Sequence, residues 1–350
     1  MNLTIMIATK NRPNFLIRAL NYYSMAGFNG EIFIGDSSSE KNSKENLNII
    51  DKNKNLKIFY HLDTKLSADQ MVSFLSKKVK TNYSVMINDD DILIIPSIQN
   101  CIDFLDENPD FVAVNGRAYN IGINLNEPTP LGKISSVQLY PLAKYENETL
   151  IDRITNYFNN TLNVNMSIIR SELNMLAFSN VEKLNKFDSA FIFGELIHAI
   201  TILANGKITS IDNCYLVRQK HSQQHYRKID KDNWLNHTDL VSAIFELKNS
   251  IKEGFIKKNE NFNEIINETV NHLIMLKVKY IFNRFISGNK IFRRRLKMFY
   301  NNLININNFL LSYVNNPVEK FFKKNEAKYQ QDRESLKTYF NCVEKNSNFK

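Results

Sequence analysis

Three adjacent carboxylates, Asp89-Asp90-Asp91, follow the apolar run at residues 83–87. Like charges at neighbouring positions repel, so a strand that ends in all three calls for a cation to meet them. Carboxylate oxygens are hard ligands and suit Mg2+ or Mn2+. Alternation along an extended chain would turn Asp89 and Asp91 to one side as the metal-holding pair. An acidic turn or a helix cap uses the same residue type, since Asp is favoured at both. A fourth carboxylate, Asp36, ends another apolar run at residues 31–35. There it can accept hydrogen bonds from a ribose hydroxyl or a base N–H; a local Asp-Ser turn is the plainer alternative.

The elements that must deliver these groups follow from periodicity. Residues 3–8 are a strand candidate, and Thr9-Lys10-Asn11-Arg12-Pro13 is a polar turn with proline set to open a helix. Phe15, Leu16, Ala19, Leu20 and Tyr23 then fall on one helical face. Further strands are expected at 31–35, 56–61, 83–87 and 111–114, with helices at 69–80 and 97–105. This alternation implies the α/β class, a mostly parallel sheet with helices on both faces. Ligands of such sheets bind outside the carboxyl ends of the strands. Residues 9–12, 36–39 and 88–91 all lie there, so three clusters distant in sequence should line one crevice. No GxGxxG follows the first strand and no GxxxxGK[ST] occurs, which argues against ordinary dinucleotide-binding and P-loop readings.

Three segments in order carry a resemblance: Thr4-Ile5-Met6-Ile7-Ala8-Thr9-Lys10-Asn11-Arg12, then Ile32-Phe33-Ile34-Gly35-Asp36-Ser37, then Tyr83-Ser84-Val85-Met86-Ile87-Asn88-Asp89-Asp90-Asp91. Together they resemble glycosyltransferase family 2 and its GT-A fold, a Rossmann-like sheet flanked by helices. The resemblance is clearest over residues 3–100 and weaker to about 227. It implies transfer of a sugar from a nucleotide-diphosphate donor, a UDP-sugar first, to an acceptor hydroxyl with inversion at the anomeric carbon. Thr9, Asn11 and Arg12 would then border the nucleotide, with Asp36 at the base or ribose and Asp69 as a second nucleoside contact. Asp90 and Arg218 would belong to the donor site. Asp89 and Asp91, in the DxD role, would hold Mn2+ or Mg2+, with His221 completing the metal shell; His221 is favoured over His225 because it comes sooner after the strand. The family sets a carboxylic base at the start of a late helix, and Phe193-Gly194-Glu195-Leu196-Ile197-His198 matches that stretch. Glu195 is the expected base, Asp188 the alternative. Asn165, in the strand-like residues 162–167, is expected to face the acceptor.

The chain has 350 residues and a formal charge of +9. That charge favours polyanionic partners: nucleotide diphosphates, nucleic acid or anionic lipid. No zinc-finger or RNP signature is present, so nucleic acid is not expected. Cys101, Cys214 and Cys342 are widely spaced and odd in number, which points away from a disulfide framework and toward the reducing cytoplasm. The amino-terminal residues read as a strand rather than a signal peptide, and no apolar run approaches a membrane span. Beyond about residue 230 helical periodicity takes over, which divides the chain into a catalytic domain at 1–230 and an α-helical C-terminal region at 231–350. That region carries the basic stretches 290–297 and 321–324, which could meet the inner face of a membrane bearing a lipid-linked or glycan acceptor. By family analogy the product belongs to bacterial surface polysaccharide. The rival readings are a nucleotidyltransferase, disfavoured because residues 8–14 contain no glycine, and a basic scaffold that has lost the activity.

Overall fold

The computed structural model of the chain describes residues 1–125, 133–184, 186, 190–223, 249, 321–322 and 326–344. Its elements run β1 (Leu3–Thr9), α1 (Pro13–Met25), β2 (Glu31–Asp36), α2 (Glu40–Lys52), β3 (Lys57–Leu62), α3 (Ala68–Ser76) and β4 (Tyr83–Asn88). Then come β5 (Asp91–Leu93), α4 (Ile95–Glu107), β6 (Phe111–Asn124), β7 (Lys133–Tyr140), α5 (Leu150–Asn159), β8 (Ile168–Arg170), α6 (Ser171–Glu182), α7 (Ala190–Asn205) and β9 (Lys207–Lys220). Two helices, α8 (Glu326–Ser335) and α9 (Lys337–Glu344), complete the described residues.

The strands form one sheet in the order β3-β2-β1-β4-β8-β6-β9-β5, with β7 paired to β6. β3, β2, β1 and β4 are mutually parallel, as the strand–helix alternation requires. β8 is antiparallel to β4 and β6, and β5 is antiparallel to β9. β1 is buried on both faces, which is why it reads as a continuous apolar run. Leu3, Ile5 and Ile7 point into the core shared with α1 and α4, while Met6 packs with Phe33, Val72 and Phe178 on the opposite face.

Three expectations need correction. The strand expected at 111–114 continues to Asn124, because β9 pairs along it as far as Gly122↔Lys220. Asn165 lies in a turn before β8, held by Met166 N–H donating to Asn163 Oδ1 at 3.1 Å, and not in a strand. Asp91 opens a separate strand, β5, because Asp89 and Asp90 form a turn that breaks the extended run.

The described C-terminal residues pack on the α/β core. Phe322, Tyr329, Leu336, Tyr339, Cys342 and Val343 are buried in the cluster that holds β1, α1 and α4. Asp332 is fully buried and takes a bidentate pair from Arg117 on β6, at 2.6 Å from both Nε and Nη2, while the Tyr119 hydroxyl donates to the same carboxylate. None of the three cysteines forms a disulfide. Among the described residues no helix is long and apolar enough to cross a membrane. The basic stretch 290–297 lies outside the described residues.

Candidate active site

Parallel register puts the three polar clusters at one edge. Thr9 pairs with Asp36 across β1 and β2, and Ala8 pairs with Asn88 across β1 and β4. Thr9 donates to Asp89 Oδ2 at 2.8 Å, so the first strand end touches the acidic run directly. Arg12, at the N-cap of α1, reaches back over the same edge. Its Nη1 donates to Asp89 Oδ1 and its Nη2 to Asp90 Oδ2, each at 2.6 Å. His221, just past β9, accepts from Gln223 N–H through Nδ1 at 3.2 Å, which leaves Nε2–H to donate to Asp90 Oδ2 at 3.0 Å. The Phe15 ring touches both groups: His221 stacks on it at 4.4 Å and the Arg12 guanidinium lies 4.3 Å from its centroid.

Asp91 faces elsewhere. Its partners are Asn88 Nδ2 at 2.9 Å, Gln219 N–H at 3.3 Å and Arg218 Nε at 3.6 Å. Asp91 and Arg218 are direct cross-strand partners in the β5–β9 pair, a placement that favours opposite charges. The expectation that Asp89 and Asp91 share a side therefore fails: Asp89 and Asp90 share one guanidinium, and Asp91 is committed to β9.

Asp36 is completely buried and already engaged. Ser38 N–H, Asn46 Nδ2 and the Tyr60 hydroxyl donate to its carboxylate at 2.7, 2.8 and 2.7 Å. The Ser38 bond is the local Asp-Ser turn considered from sequence. Asn11 adopts a left-handed backbone (φ 56°), alone among the described non-glycine residues. Its N–H donates to Ser38 Oγ, and its side-chain oxygen accepts from Ser39 N–H and Asn42 Nδ2. Strain of this kind persists where the surroundings over-determine it; here it turns the chain so that Arg12 aims at the acidic run.

The opposite wall comes from α3, α7 and β7. Glu195 stands exposed on α7, with no hydrogen-bond partner among the described residues. Asp69, in the first turn of α3, lies against the same helix: a methyl group added at Gly194 would meet its Oδ2 at 3.4 Å. Burial, with the nearby Glu195 charge, raises the Asp69 pKa. Asp69 therefore neighbours Glu195. Tyr140, at the end of β7, links the two walls. Burial raises its pKa, Arg218 works against that, and the Glu195 and Asp91 charges add to it. The Arg218 guanidinium lies 4.4 Å from the Tyr140 ring centroid. Asp188, His225 and Arg227 lie outside the described residues. Sequence reading missed Tyr140 and Gln219, which carry no motif, and took Phe15 for a core residue only.

Burial raises the pKa of Asp89 against the pull of Arg12, and raises that of Asp91, with the Asp90 charge, against Arg218. At Asp90 burial also acts upward but is outweighed by the His221 hydrogen bond and by Arg12, so its pKa is lowered. Three carboxylates thus share a poorly solvated edge with two arginines. Such a donor set fits a hard divalent cation. Among the described residues, however, no three His, Cys, Asp or Glu side chains converge as metal ligands. The guanidinium of Arg12 occupies the place between Asp89 and Asp90. Arg12 Nε and Arg218 Nε are buried N–H groups that make no hydrogen bond among the described residues, Arg218 Nε meeting Asp91 only as a 3.6 Å ion pair, and such donors suit an anionic ligand. A cavity of about 780 Å³ opens at the other end of the sheet, lined by Lys144, Glu146, Asn147 and Asn156 among others. It contains none of these residues and lies near Lys207, at the start of β9.

Residues 4–166 match the family model described as Glycosyl transferase family 2. No curated protein matches the chain. Among solved structures, the crystal structure of S. aureus TarS 1-349 in complex with UDP-GlcNAc aligns with a TM-score of 0.53 at 14% identity, over 78% of this chain and 72% of that one. A longer S. aureus TarS chain aligns at 0.47 and 13% identity, with 78% of this chain and 43% of that chain covered. Mannosyltransferase PcManGT from Pyrobaculum calidifontis, in complex with GDP-Man and Mn2+, aligns at 0.44 and 11% identity, over 85% and 83% of the two chains. The last two superpositions are too loose to bear an argument; the first shows a shared GT-A fold.

Proposed function

We propose that the chain is a family 2-like glycosyltransferase, built on the GT-A fold, and that it moves a sugar from a nucleotide-diphosphate donor, a UDP-sugar first, to a hydroxyl of a glycan or lipid-linked acceptor. One observation carries the reading: the acidic run at the end of β4 meets Thr9, Arg12, Arg218 and His221 within a single buried network beside the exposed Glu195. The diphosphate lies over this edge, where Arg12 and Arg218 supply buried N–H donors that make no hydrogen bond among the described residues. Asp36 holds the loop that borders the nucleoside rather than offering free oxygens to it. Glu195 takes the proton from the attacking hydroxyl, and Asp69 beside it fixes the charge around that base. Attack from this wall, opposite the diphosphate, inverts the anomeric carbon. Mn2+ or Mg2+, when bound, would be held by Asp89 and Asp90, the two carboxylates that Arg12 bridges, and would supply positive charge to the leaving diphosphate. His221 keeps Asp90 in place. Cytoplasmic action, a role in bacterial surface glycan assembly and contact of residues 290–297 with the membrane's inner face belong to the same proposal.

The test is turnover. The purified chain is incubated with UDP-, GDP- and dTDP-sugars, with and without Mn2+, and release of nucleoside diphosphate is followed; slow hydrolysis with water reports donor use without the acceptor. Release from one nucleotide class, abolished in Glu195→Gln and Asp89→Asn, supports the reading. Release from none, by folded protein with metal and a range of acceptor glycans present, overturns it.

A further inference from the structure

Arg12 is the outermost member of the acidic cluster. Its side chain keeps 21% of its exposure, against 3% for Asp89 and 10% for Asp90. Anything approaching Asp89 from the crevice meets the guanidinium first. Both contacts are charge-assisted and short, at 2.6 Å, and the guanidinium spans two carboxylates as a divalent ion would. The arm is also supported from below. Phe15 receives Arg12 on its ring, stacks on His221, and His221 returns to Asp90, so the circuit closes on itself. The left-handed Asn11, tied to Ser38, Ser39 and Asn42, fixes the start of the arm.

We propose that Arg12 is an exchangeable internal counter-ion. In the donor-free protein it neutralises Asp89 and Asp90 and keeps the divalent cation off the acidic run. When a nucleoside diphosphate arrives, the guanidinium transfers to a phosphate oxygen and vacates the carboxylate, which the cation then takes. The metal and the diphosphate are thereby coupled: each binds better in the presence of the other, by the same factor. The consequence is a site that does not collect free metal and assembles its full charge only around the donor. The idea rests on the donor reading for the identity of the anion, and on the Arg12 geometry for the exchange.

The test uses Mn2+ alone and Mn2+ with UDP, with free Mn2+ followed by electron paramagnetic resonance, on the full chain and on Arg12→Gln and Arg12→Lys. Circular dichroism checks that each variant is folded. Without UDP, wild type should bind Mn2+ weakly and Arg12→Gln at least about tenfold more tightly. UDP should tighten Mn2+ strongly in wild type and much less in Arg12→Gln. Arg12→Lys keeps the charge but not the two-pronged reach, and should fall between the two. Equal or weaker Mn2+ binding by Arg12→Gln without UDP overturns the exchange and leaves the glycosyltransferase reading standing. UDP binding with no Mn2+ bound to any of the proteins also overturns it. Failure of wild type to bind UDP or any other nucleotide removes the donor reading and the exchange with it.

Discussion

Replacing Asp332 by Asn removes one charge and keeps the side chain's size. Asp332 is fully buried on α8 and receives two 2.6 Å bonds from Arg117 and a third from the Tyr119 hydroxyl. An asparagine can still accept at one oxygen, but its NH2 group would face a guanidinium N–H, donor against donor. Breaking a buried ion pair by removing one partner costs roughly 3–5 kcal/mol. Two features reduce this: Arg117 keeps 18% side-chain exposure, and it has a second partner in the 96%-exposed Asp212. A loss of about 3 kcal/mol is therefore expected, the lower end of the range for a broken buried pair. The assay is urea unfolding at pH 7, with amide exchange followed across α8 and α9. Asp332→Asn should lower stability by that amount and speed exchange in both helices. Asp212→Asn, at an exposed position, should change stability by no more than about 0.5 kcal/mol. A cost below about 1 kcal/mol for Asp332→Asn, with α8 and α9 as protected as in wild type, would refute the claim that this segment is built into the α/β core.

Three further outcomes follow from the same contacts. His198 is completely buried; its Nε2 bonds Asn174 Oδ1 at 2.9 Å, Nδ1 has no partner, and burial pushes its pKa down to about 3. A depressed folded-state pKa gives stability that is present above the unfolded value of about 6.5 and lost as pH falls, so the stability gap between wild type and His198→Gln should narrow by about 2 kcal/mol between pH 7 and 5; a constant gap contradicts the assignment. Gly35→Ala would drive a methyl group to 2.2 Å from Met71 Cγ inside the sheet–α3 contact, at a cost of about 1–3 kcal/mol read by thermal melting. Glu195→Gln should cut kcat by about 10²–10⁴-fold with little change in donor affinity, as removal of a general base does; unchanged turnover would pass the role to another carboxylate.

The edge proposed for the donor was legible in the sequence because its parts are local. Each of residues 3–9, 31–36 and 83–88 announces a buried parallel strand by itself, and the rule for strand carboxyl ends brings Thr9, Asp36 and Asp89 together. The destination of each carboxylate was not legible. Asp91 leaves its neighbours because Arg218 and Gln219 of β9, the latter 128 residues later, pair with it. Asp36 is closed off by Asn46 and Tyr60, side chains on a helix and a strand that carry no motif. Asp69 meets Glu195 only because α3 and α7 both contact α6 on one face of the sheet. The C-terminal helices gave an amphipathic pattern, but their partner surface on β6 could not be read from it, since Arg117 and Asp332 are 215 residues apart.

The measurement that goes most directly to the proposed donor site is isothermal titration of UDP into wild type and Asp89→Asn, each with Mn2+. The account predicts a saturable signal in wild type, and at least about tenfold weaker binding in the variant, which corresponds to about 1.4 kcal/mol. Equal affinity in the two folded proteins would contradict it, because the end of β4 would then have no part in holding the donor.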